Sequence, residues 1–291
     1  NDLNQSDTNA KLTIADLTSA TSQILSKGNL QVESQTAKLT DASILQGKTA
    51  TLKMDTLDLN NAQLLSEETL EITSAKANLS NNALIQSGTN GTLMIADLTS
   101  ATSQILSKDA LTLTSDTTTL TEASTLQGKT ADLKIKDLTL NGSQLLSETE
   151  LALISDKATI SNNALIQSGT NATLTIADLT STTSQILSKG NLQVESQTAK
   201  LTDASILQGK TASLKIDSLD LNNAQILSEE TLALTSTKAN LSNNALIQSG
   251  SNATLSIADL TSAKSQILSK DALTLTSDTT TLTEASTLQG K

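Results

Sequence analysis

The chain has 291 residues, 36% of them hydrophobic, carries a formal net charge of −11, and contains no Pro, Cys, His, Arg, Phe, Trp or Tyr. Without His or Cys the common metal sites and nucleophile–base pairs are not available, and an acidic chain with no aromatic side chain to stack a base does not favour nucleic acid. No apolar run approaches the roughly 18 residues that a membrane-spanning helix needs, so we expect no membrane span in this segment.

The sequence repeats on nested scales of about 20, 81 and 162 residues. The stretch QILSKGNLQVESQTAKLTDASILQGKTA begins at Gln23 and returns letter for letter at Gln185, a shift of 162 residues. A weaker shift of 81 relates the ILSK quartets that open at Ile24, Ile105, Ile186 and Ile267. We interpret residues 1–291 as one continuous segment with blocks at approximately 3–23 (partial), 24–104, 105–185, 186–266 and 267–291 (partial). Both ends interrupt a repeat without a capping coil, so we expect a window of a longer array.

Inside each block the pattern restarts about every 20 residues. In the first full block we align Ile24, Ile44, Leu64 and Ile85 as the apolar residues that open successive coils, and the later blocks follow with Thr125 and Ile206 at the positions of Ile44. Within a coil, apolar residues alternate with polar ones, as in Leu30 and Val32, which is the period of a β-strand. Helical solenoids need longer repeats. The predicted fold class is therefore all-β, a right-handed parallel β-helix with about 20 residues per coil.

Polar breaks between the strands predict the corners of the coils. The Asn pairs Asn60–Asn61, Asn81–Asn82, Asn162–Asn163, Asn222–Asn223 and Asn243–Asn244 recur there, because Asn tolerates left-handed backbone. We interpret the isolated glycines Gly28, Gly47, Gly88 and Gly128 as turn residues with positive φ rather than as a phosphate-binding or calcium-binding loop. Glu71 and Met94 each lie between two apolar neighbours, which predicts that they point away from the core.

The carboxylates that recur in pairs are the strongest candidates for chemistry. Asp55 and Asp58 return as Asp217 and Asp220, and Glu67 and Glu68 return as Glu229 and Glu230. A glycosidase pair would need a cleft with substrate-stacking groups, so we interpret these carboxylates as solvated turn charges. We predict no enzyme, and no catalytic, cofactor-binding or metal-binding residue.

The threonine-rich segment LTLTSDTTTLT, which begins at Leu111, raises the alternative of an ice-binding face. The segments in the following coils, LKIKDLTL from Leu133 and LALISDKAT from Leu151, do not continue a rank of threonines. Thr also favours exposed strand positions for its β-propensity alone. We therefore interpret these threonines as ordinary strand surface.

The segment Ser107–Gly128, SKDALTLTSDTTTLTEASTLQG, resembles the haemagglutinin repeat of filamentous haemagglutinins and contact-dependent growth inhibition stalks, which are two-partner-secreted bacterial exoproteins. The features that match are the paired Leu111 and Leu113, then Leu120, and the step Leu126-Gln127-Gly128 into the next coil. The resemblance implies export through an outer-membrane secretion partner, location at the bacterial cell surface or outside it, and a target-cell receptor bound outside this segment. The chain would then be the structural shaft that projects a distal adhesive or toxic domain.

A second interpretation is a self-assembling extracellular filament or sheath subunit. Outward patches such as Thr117–Thr119 and Thr279–Thr281 would then make lateral contacts between copies. Each coil should add one strand spacing, so that some 14 coils extend roughly 65 Å in either case. A stalk predicts unrelated domains beyond the array, and a filament predicts complementary ends. A glycan-binding solenoid ranks last, because the chain has no aromatic platforms.

Overall fold

The computed structural model describes residues 3–291, which form strands and turns with no helix. The chain divides into two compact units, the first ending at Ser147 and the second comprising Glu148–Lys291. The strands of the first unit are β1 (Leu3–Ser6), β2 (Ala10–Thr13), β3 (Asp16–Ala20), β4 (Gln23–Ser26), β5 (Asn29–Thr40), β6 (Ile44–Gly47), β7 (Thr49–Asn60), β8 (Gln63–Ser66), β9 (Leu70–Ser80), β10 (Leu84–Ser87), β11 (Gly91–Ala101), β12 (Gln104–Ser107), β13 (Ala110–Thr121), β14 (Thr125–Gly128), β15 (Thr130–Asn141) and β16 (Gln144–Ser147). Those of the second are β17 (Leu151–Ser161), β18 (Leu165–Ser168), β19 (Ala172–Thr182), β20 (Gln185–Ser188), β21 (Asn191–Thr202), β22 (Ile206–Gly209), β23 (Thr211–Asn222), β24 (Gln225–Ser228), β25 (Leu232–Ser242), β26 (Leu246–Ser249), β27 (Ala253–Ala263), β28 (Gln266–Ser269), β29 (Leu273–Thr276), β30 (Thr279–Thr283) and β31 (Thr287–Gln289).

Each complete coil contains one short strand of four residues and one long strand of 11 or 12 residues. Short strands pair with the short strands of neighbouring coils, long strands pair with long strands, and all of these pairs are parallel. In the first unit the short ladder runs β1-β4-β6-β8-β10-β12-β14-β16, and in the second it runs β18-β20-β22-β24-β26-β28-β31. The prediction of an all-β solenoid with coils of about 20 residues is confirmed.

A bend divides every long strand into two halves. In β9 burial alternates from Leu70 to Ser74, then Ala75 and Lys76 are both exposed, and alternation resumes at the buried Ala77. Two consecutive outward residues shift the two-residue period of the strand by one position. The two halves therefore present two separate outer faces, and the short strand presents a third.

The alignment of the coil-opening residues at Ile44 was wrong by one position. Ile24 pairs with Leu45, and Leu45 pairs with Leu64; Leu45 is fully buried, whereas Ile44 faces outward. The same correction applies where the inner column holds Leu126 in place of Thr125 and Leu207 in place of Ile206. The corner before each of these short strands contains one more residue than the corner before the next short strand. A slip of one residue exchanges the two faces of a strand.

Two kinds of corner alternate along the stack. One kind has two consecutive residues with left-handed backbone, as in Asp41 (φ 54°) and Ala42 (φ 62°), where the amide of Ser43 donates to the carbonyl of Thr40 at 3.0 Å. This is the geometry of a type I′ turn. The other kind has a single left-handed residue, at Thr21, Asn61, Thr102, Gly142, Thr183, Asn223 and Lys264. The prediction of Asn-rich corners is confirmed, although Asn60 and Asn222 end the preceding long strands and only the second Asn of those two pairs is left-handed.

The prediction of positive φ at Gly28, Gly47, Gly88 and Gly128 was wrong. Among the glycines of residues 3–291, only Gly142 has a positive φ. The others allow close approach between neighbouring coils. A Cβ atom on Gly47 would lie 2.7 Å from the Cβ of Leu30, and one on Gly88 would collide with the carbonyl oxygen of Glu67.

The core compensates large side chains with small ones from coil to coil. Three inward columns of the long strands alternate in size: the first column, the column at the bend, and the column after it. In the coil of β9 they hold Leu70, Ser74 and Ala77; in the coil of β11 they hold Gly91, Ile95 and Leu98. Each coil therefore fills a similar volume, and facing positions interdigitate at the density of a protein interior. This pattern repeats every two coils, a period that the sequence analysis did not identify.

Buried serine hydroxyls at the corners find partners in backbone carbonyls, and these carbonyls also accept an amide from a neighbouring coil. The hydroxyl of Ser66 donates to the carbonyl of Thr69 at 2.7 Å and lies 3.1 Å from that of Lys48. Within the part of the chain that the structure describes, a few buried hydroxyls have no hydrogen-bond partner, namely those of Ser34, Thr118, Ser181 and Ser262. These sites carry a stability penalty that mutation can measure.

Candidate functional surfaces

The bend separates the carboxylates of the first recurrent pair. Asp55 is exposed at the bend of β7, whereas Asp58 is half-buried on the second half of the strand. The amide Nδ2 of Asn78 in the next coil donates to Oδ1 of Asp58 at 2.5 Å. Asp217 and Asp220 repeat this placement in the second unit. Each pair is therefore spread over two faces of a coil.

The glutamate pairs lie at exposed corners beside the short strands. Nζ of Lys48 lies 3.3 Å from Oε1 of Glu68, and Nζ of Lys210 lies 3.2 Å from Oε1 of Glu230. All four side chains are about half exposed, so each pair contributes little to stability, typically about 0–1 kcal/mol. These corner charges link successive coils.

Open grooves follow the bend on the outside of each unit. The groove of the first unit has a volume of about 530 Å³ and contains Ile14, Glu33, Lys53 and Asp55 among its lining residues. Charges of both signs and an aliphatic side chain share its walls, but no aromatic ring is present to stack a sugar or a base. This groove offers a polar surface without a convergent catalytic arrangement.

The groove of the second unit is smaller, with a volume of about 280 Å³, and is lined in part by Ile154, Glu195, Lys215 and Asp217. Nζ of Lys215 donates to Oε1 of Glu195 at 2.7 Å, and this hydrogen bond, with the attraction between the two charges, raises the pKa of Lys215 above its usual value. A lysine with a raised pKa stays protonated and is a poor nucleophile or base at neutral pH. The pair therefore joins two coils rather than activating an amine.

Residues 3–291 offer neither a carboxylate metal site nor a membrane-spanning helix. No group of three or more Asp or Glu side chains in this range is placed to hold a metal ion. The same range contains no helix that is long and apolar enough to cross a membrane.

The outward side chains of the short strands form a distinct surface, which we call the short-strand face. In the first unit its two columns pair Gln23 with Ile44 and Leu25 with Gln46, and the next coils continue with Gln63 and Leu65, Leu84 and Gln86, and Gln104 and Leu106. Glutamine and aliphatic side chains thus alternate along both directions, as on a checkerboard, with Thr125 at one of the aliphatic positions. The second unit repeats this arrangement, with Gln185 and Leu187 followed by Ile206 and Gln208. No strand of the short ladders within residues 3–291 contains a charged residue.

One of the two threonine patches differs from the sequence-based interpretation, whereas Thr279–Thr281 is exposed at all three residues. Thr118 is fully buried in the column of Leu98 and Leu138, so Thr117–Thr119 is not a continuous outward patch. Exposed threonines are also interrupted in the next coil, where Thr112 lies beside Asp132. Glu71 and Met94, in contrast, point outward as predicted, and Met94 is 53% exposed.

Comparisons with protein-family models, with curated proteins and with solved structures found no match to this chain.

Sequence reasoning missed the short-strand face because it examined each coil for chemistry and not each face for charge. The signal was present in the tetrapeptides QILS, ILQG, QLLS and LIQS, which exchange the positions of Gln and an aliphatic residue from one coil to the next. Only the true register shows that these exchanges build a checkerboard, since an alignment through Ile44 misplaces one strand of every four.

Proposed function

We propose that this chain is a structural shaft segment of a large exported cell-surface protein, which projects a distal adhesive or toxic domain. The observation that carries the proposal is that the internal duplications coincide with whole coils. The shift of 162 residues moves Gln23 to Gln185, and these residues begin the short strands β4 and β20. A duplication therefore adds complete coils, each extending the stack by about 4.8 Å, and leaves the contacts between neighbouring coils unchanged.

The distribution of side chains supports a scaffold rather than a catalyst. The recurrent carboxylates are spread over different faces, and the polar atoms of the corners bond to neighbouring coils. The resemblance of Ser107–Gly128 to haemagglutinin repeats adds the route in this proposal: export through an outer-membrane partner, and a receptor bound by a domain outside this segment.

The proposal is tested by deleting residues 24–104 from the full-length polypeptide in its native cell. This deletion joins Gln23 to Ile105 and so restores the strand sequence QILS at the junction. We expect the shortened protein to reach the cell surface, and cryo-electron microscopy of released protein to show an array shorter by four coils, or about 19 Å. The control deletion, residues 24–94, ends inside a long strand and should block folding and display. Retention of the parent protein inside the cell, or an unchanged length after the deletion, would contradict the proposal.

A self-assembling filament or sheath subunit is the second candidate. The observation that favours it is the uncharged short-strand face, which has the composition of a contact surface rather than of a solvated one. A full-length polypeptide that contains only repeats, and that forms ordered fibres when purified, would favour this candidate over the shaft.

A further inference from the structure

Charge is distributed unevenly around the coil. The chain has 19 lysines and 30 acidic residues, yet none of them lies in a strand of the short ladders within residues 3–291. Both halves of the long strands carry charge, for example Glu33 and Lys38 in β5. The corners that border the short strands are also charged, as at Asp41, Lys48 and Glu68. An uncharged centre with a charged rim is the usual composition of a protein–protein interface.

We propose that the short-strand face is a lateral contact surface for a second copy of this chain. A homotypic contact brings the same patch from both copies together, so the patch must complement itself. Glutamine meets this requirement because its amide both donates and accepts hydrogen bonds without carrying charge. Leucine meets it because leucine packs against leucine. The half-buried Leu65 and Leu106 and the outward Gln86 illustrate this composition in the first unit.

The checkerboard also specifies the register of the contact. When two copies align Leu with Leu and Gln with Gln, a slide by one coil, or about 4.8 Å, places every Leu opposite a Gln. That arrangement buries amide groups against aliphatic side chains and leaves hydrogen bonds unmade. Matching registers therefore recur only every two coils, which gives the contact a defined alignment along the stack.

Electrostatics favours the short-strand face over the other outer faces as the place where two copies make contact. At a net charge of −11, copies of the chain repel one another on average. The short-strand face is the outer surface on which contact does not bring charged side chains of the two copies directly together. Neighbouring charges on the rim are partly screened at physiological salt.

The area of the face predicts a weak contact that strengthens with length. The first unit has eight short strands of four residues, which give a face of about 500 Å² at the usual strand spacing and rise per residue. Stable interfaces bury about 800 Å² per partner, and smaller ones are transient. We therefore expect concentration-dependent association of this chain and tighter association of arrays with more coils.

The test is sedimentation equilibrium of the 291-residue chain from about 10 µM to 1 mM, a range chosen for a small interface. A face variant carries Leu65→Glu, Leu106→Glu, Leu187→Glu and Leu227→Glu, all at outward positions of short strands. A matched control carries Thr73→Glu, Thr114→Glu, Thr173→Glu and Thr254→Glu, at exposed positions of long strands. Both variants gain the same four negative charges, and circular dichroism reports whether each keeps its β-structure.

We expect the average mass of the parent chain and of the control to rise above 30.2 kDa with concentration, and the face variant to remain at 30.2 kDa. If the face variant does not fold, Gln104→Glu with Gln185→Glu replaces it, because both glutamines are exposed. The proposal is overturned if the parent stays monomeric throughout, if the face variant associates as strongly as the parent, or if the control loses association to the same extent. These outcomes do not depend on where the full-length protein is located, so they are separate from the test of the shaft.

Discussion

Replacement of Thr118 by Val tests the interior of the solenoid most directly. Thr118 has no exposed surface, its hydroxyl has no hydrogen-bond partner, and its neighbours in the same inward column are Leu98 and Leu138. Valine has almost the same shape as threonine but has a methyl group in place of the hydroxyl. The substitution therefore removes a buried unsatisfied group without opening a cavity.

The expected gain follows from the penalty for such a group. A buried hydroxyl without a partner costs roughly 1–3 kcal/mol in protein mutational data, and valine is at least as favourable as threonine in a strand. We expect Thr118→Val to raise the free energy of local opening by about 1–2 kcal/mol. Thr280 is the matched control, because it pairs with Leu260 in the same inward column but is exposed in the structure. Thr280→Val should change stability by less than about 0.5 kcal/mol.

Hydrogen exchange measured by mass spectrometry can resolve this local effect. A gain of 1–2 kcal/mol corresponds to opening that is about 5 to 30 times rarer, so amides in the coil of Thr118 should exchange more slowly by this factor. Amides in the coil of Thr280 should keep their rates in the control variant. Unchanged or faster exchange around position 118 would falsify the reasoning, because it would mean that the hydroxyl is satisfied in solution. Equal slowing in both variants would instead assign the effect to the β-propensity of valine.

Other substitutions probe the buried hydroxyls, the glycines and the assignment of inward residues. Ser181→Ala should stabilise the fold by about 1 kcal/mol because the serine hydroxyl is buried without a partner. Ser100→Ala should destabilise the fold by about 0.5–1.5 kcal/mol because that hydroxyl donates to Ser124 at 3.2 Å. The midpoints of urea unfolding compare the two variants. Gly91→Ala should raise the thermal midpoint through a gain of about 0.4–1 kcal/mol, because the new Cβ presses only on movable serine hydroxyls, chiefly that of Ser107, and the same position carries Ala in later blocks. Gly128→Ala should lower the midpoint, because the new Cβ would collide with the backbone oxygen of Thr130 and lie 2.9 Å from the Cβ of Leu111. Leu113→Asp should bury an unpaired charge, cost several kcal/mol and lower both the β circular dichroism and the thermal midpoint. A variant that kept both would show that Leu113 does not face inward.

The solenoid could be predicted from sequence because two independent signals agree on it. The near-identical copies define the repeat length, and alternations such as Leu30 and Val32 define the strand period within it. Outward positions followed from the same alternation, and Met94 confirms them. A repeat this short leaves little room for any other element, so the repeat length and the strand period together are sufficient to predict the fold.

Register could not be predicted from the same signals. Both Ile44 and Leu45 are aliphatic, and a short strand of four residues contains too few alternations to show which one faces inward. The answer depends on whether the preceding corner has one or two left-handed residues. Asp41–Ala42 lacks the Asn-Gly or Asp-Gly pair that is typical of a type I′ turn, so the signal for the longer corner is weak. The prediction for the glycines failed for a related reason, since Gly47 is required by the close approach of Thr49 and of Leu30 and not by a left-handed backbone.

The candidate contact surface was harder to predict than the fold because it depends on register. Once the corners are known, each short strand that follows a one-residue corner begins with Gln, as at Gln23 and Gln63, whereas those that follow a two-residue corner carry an aliphatic residue or Thr there, as at Ile44 and Thr125. The checkerboard on the outside and the large–small alternation inside therefore share one period of two coils. Neither is visible when all coils are averaged into one repeat of about 20 residues.

This shared period explains why the strong repeats are long. The path from Ile24 to Ile105 passes through Leu45, Leu64 and Ile85, so the shift of 81 residues spans four coils, and the shift of 162 spans eight. Both are even numbers. A duplication with an odd number of coils would stack two coils of the same kind, with large side chains facing each other in one inward column and small ones in the next. Overpacking and cavities would then occur together at the junction, and each costs roughly 1–3 kcal/mol or more. An array that grows by duplication is thus restricted to even steps, and the same restriction preserves the two-coil alternation of the short strands within each copy.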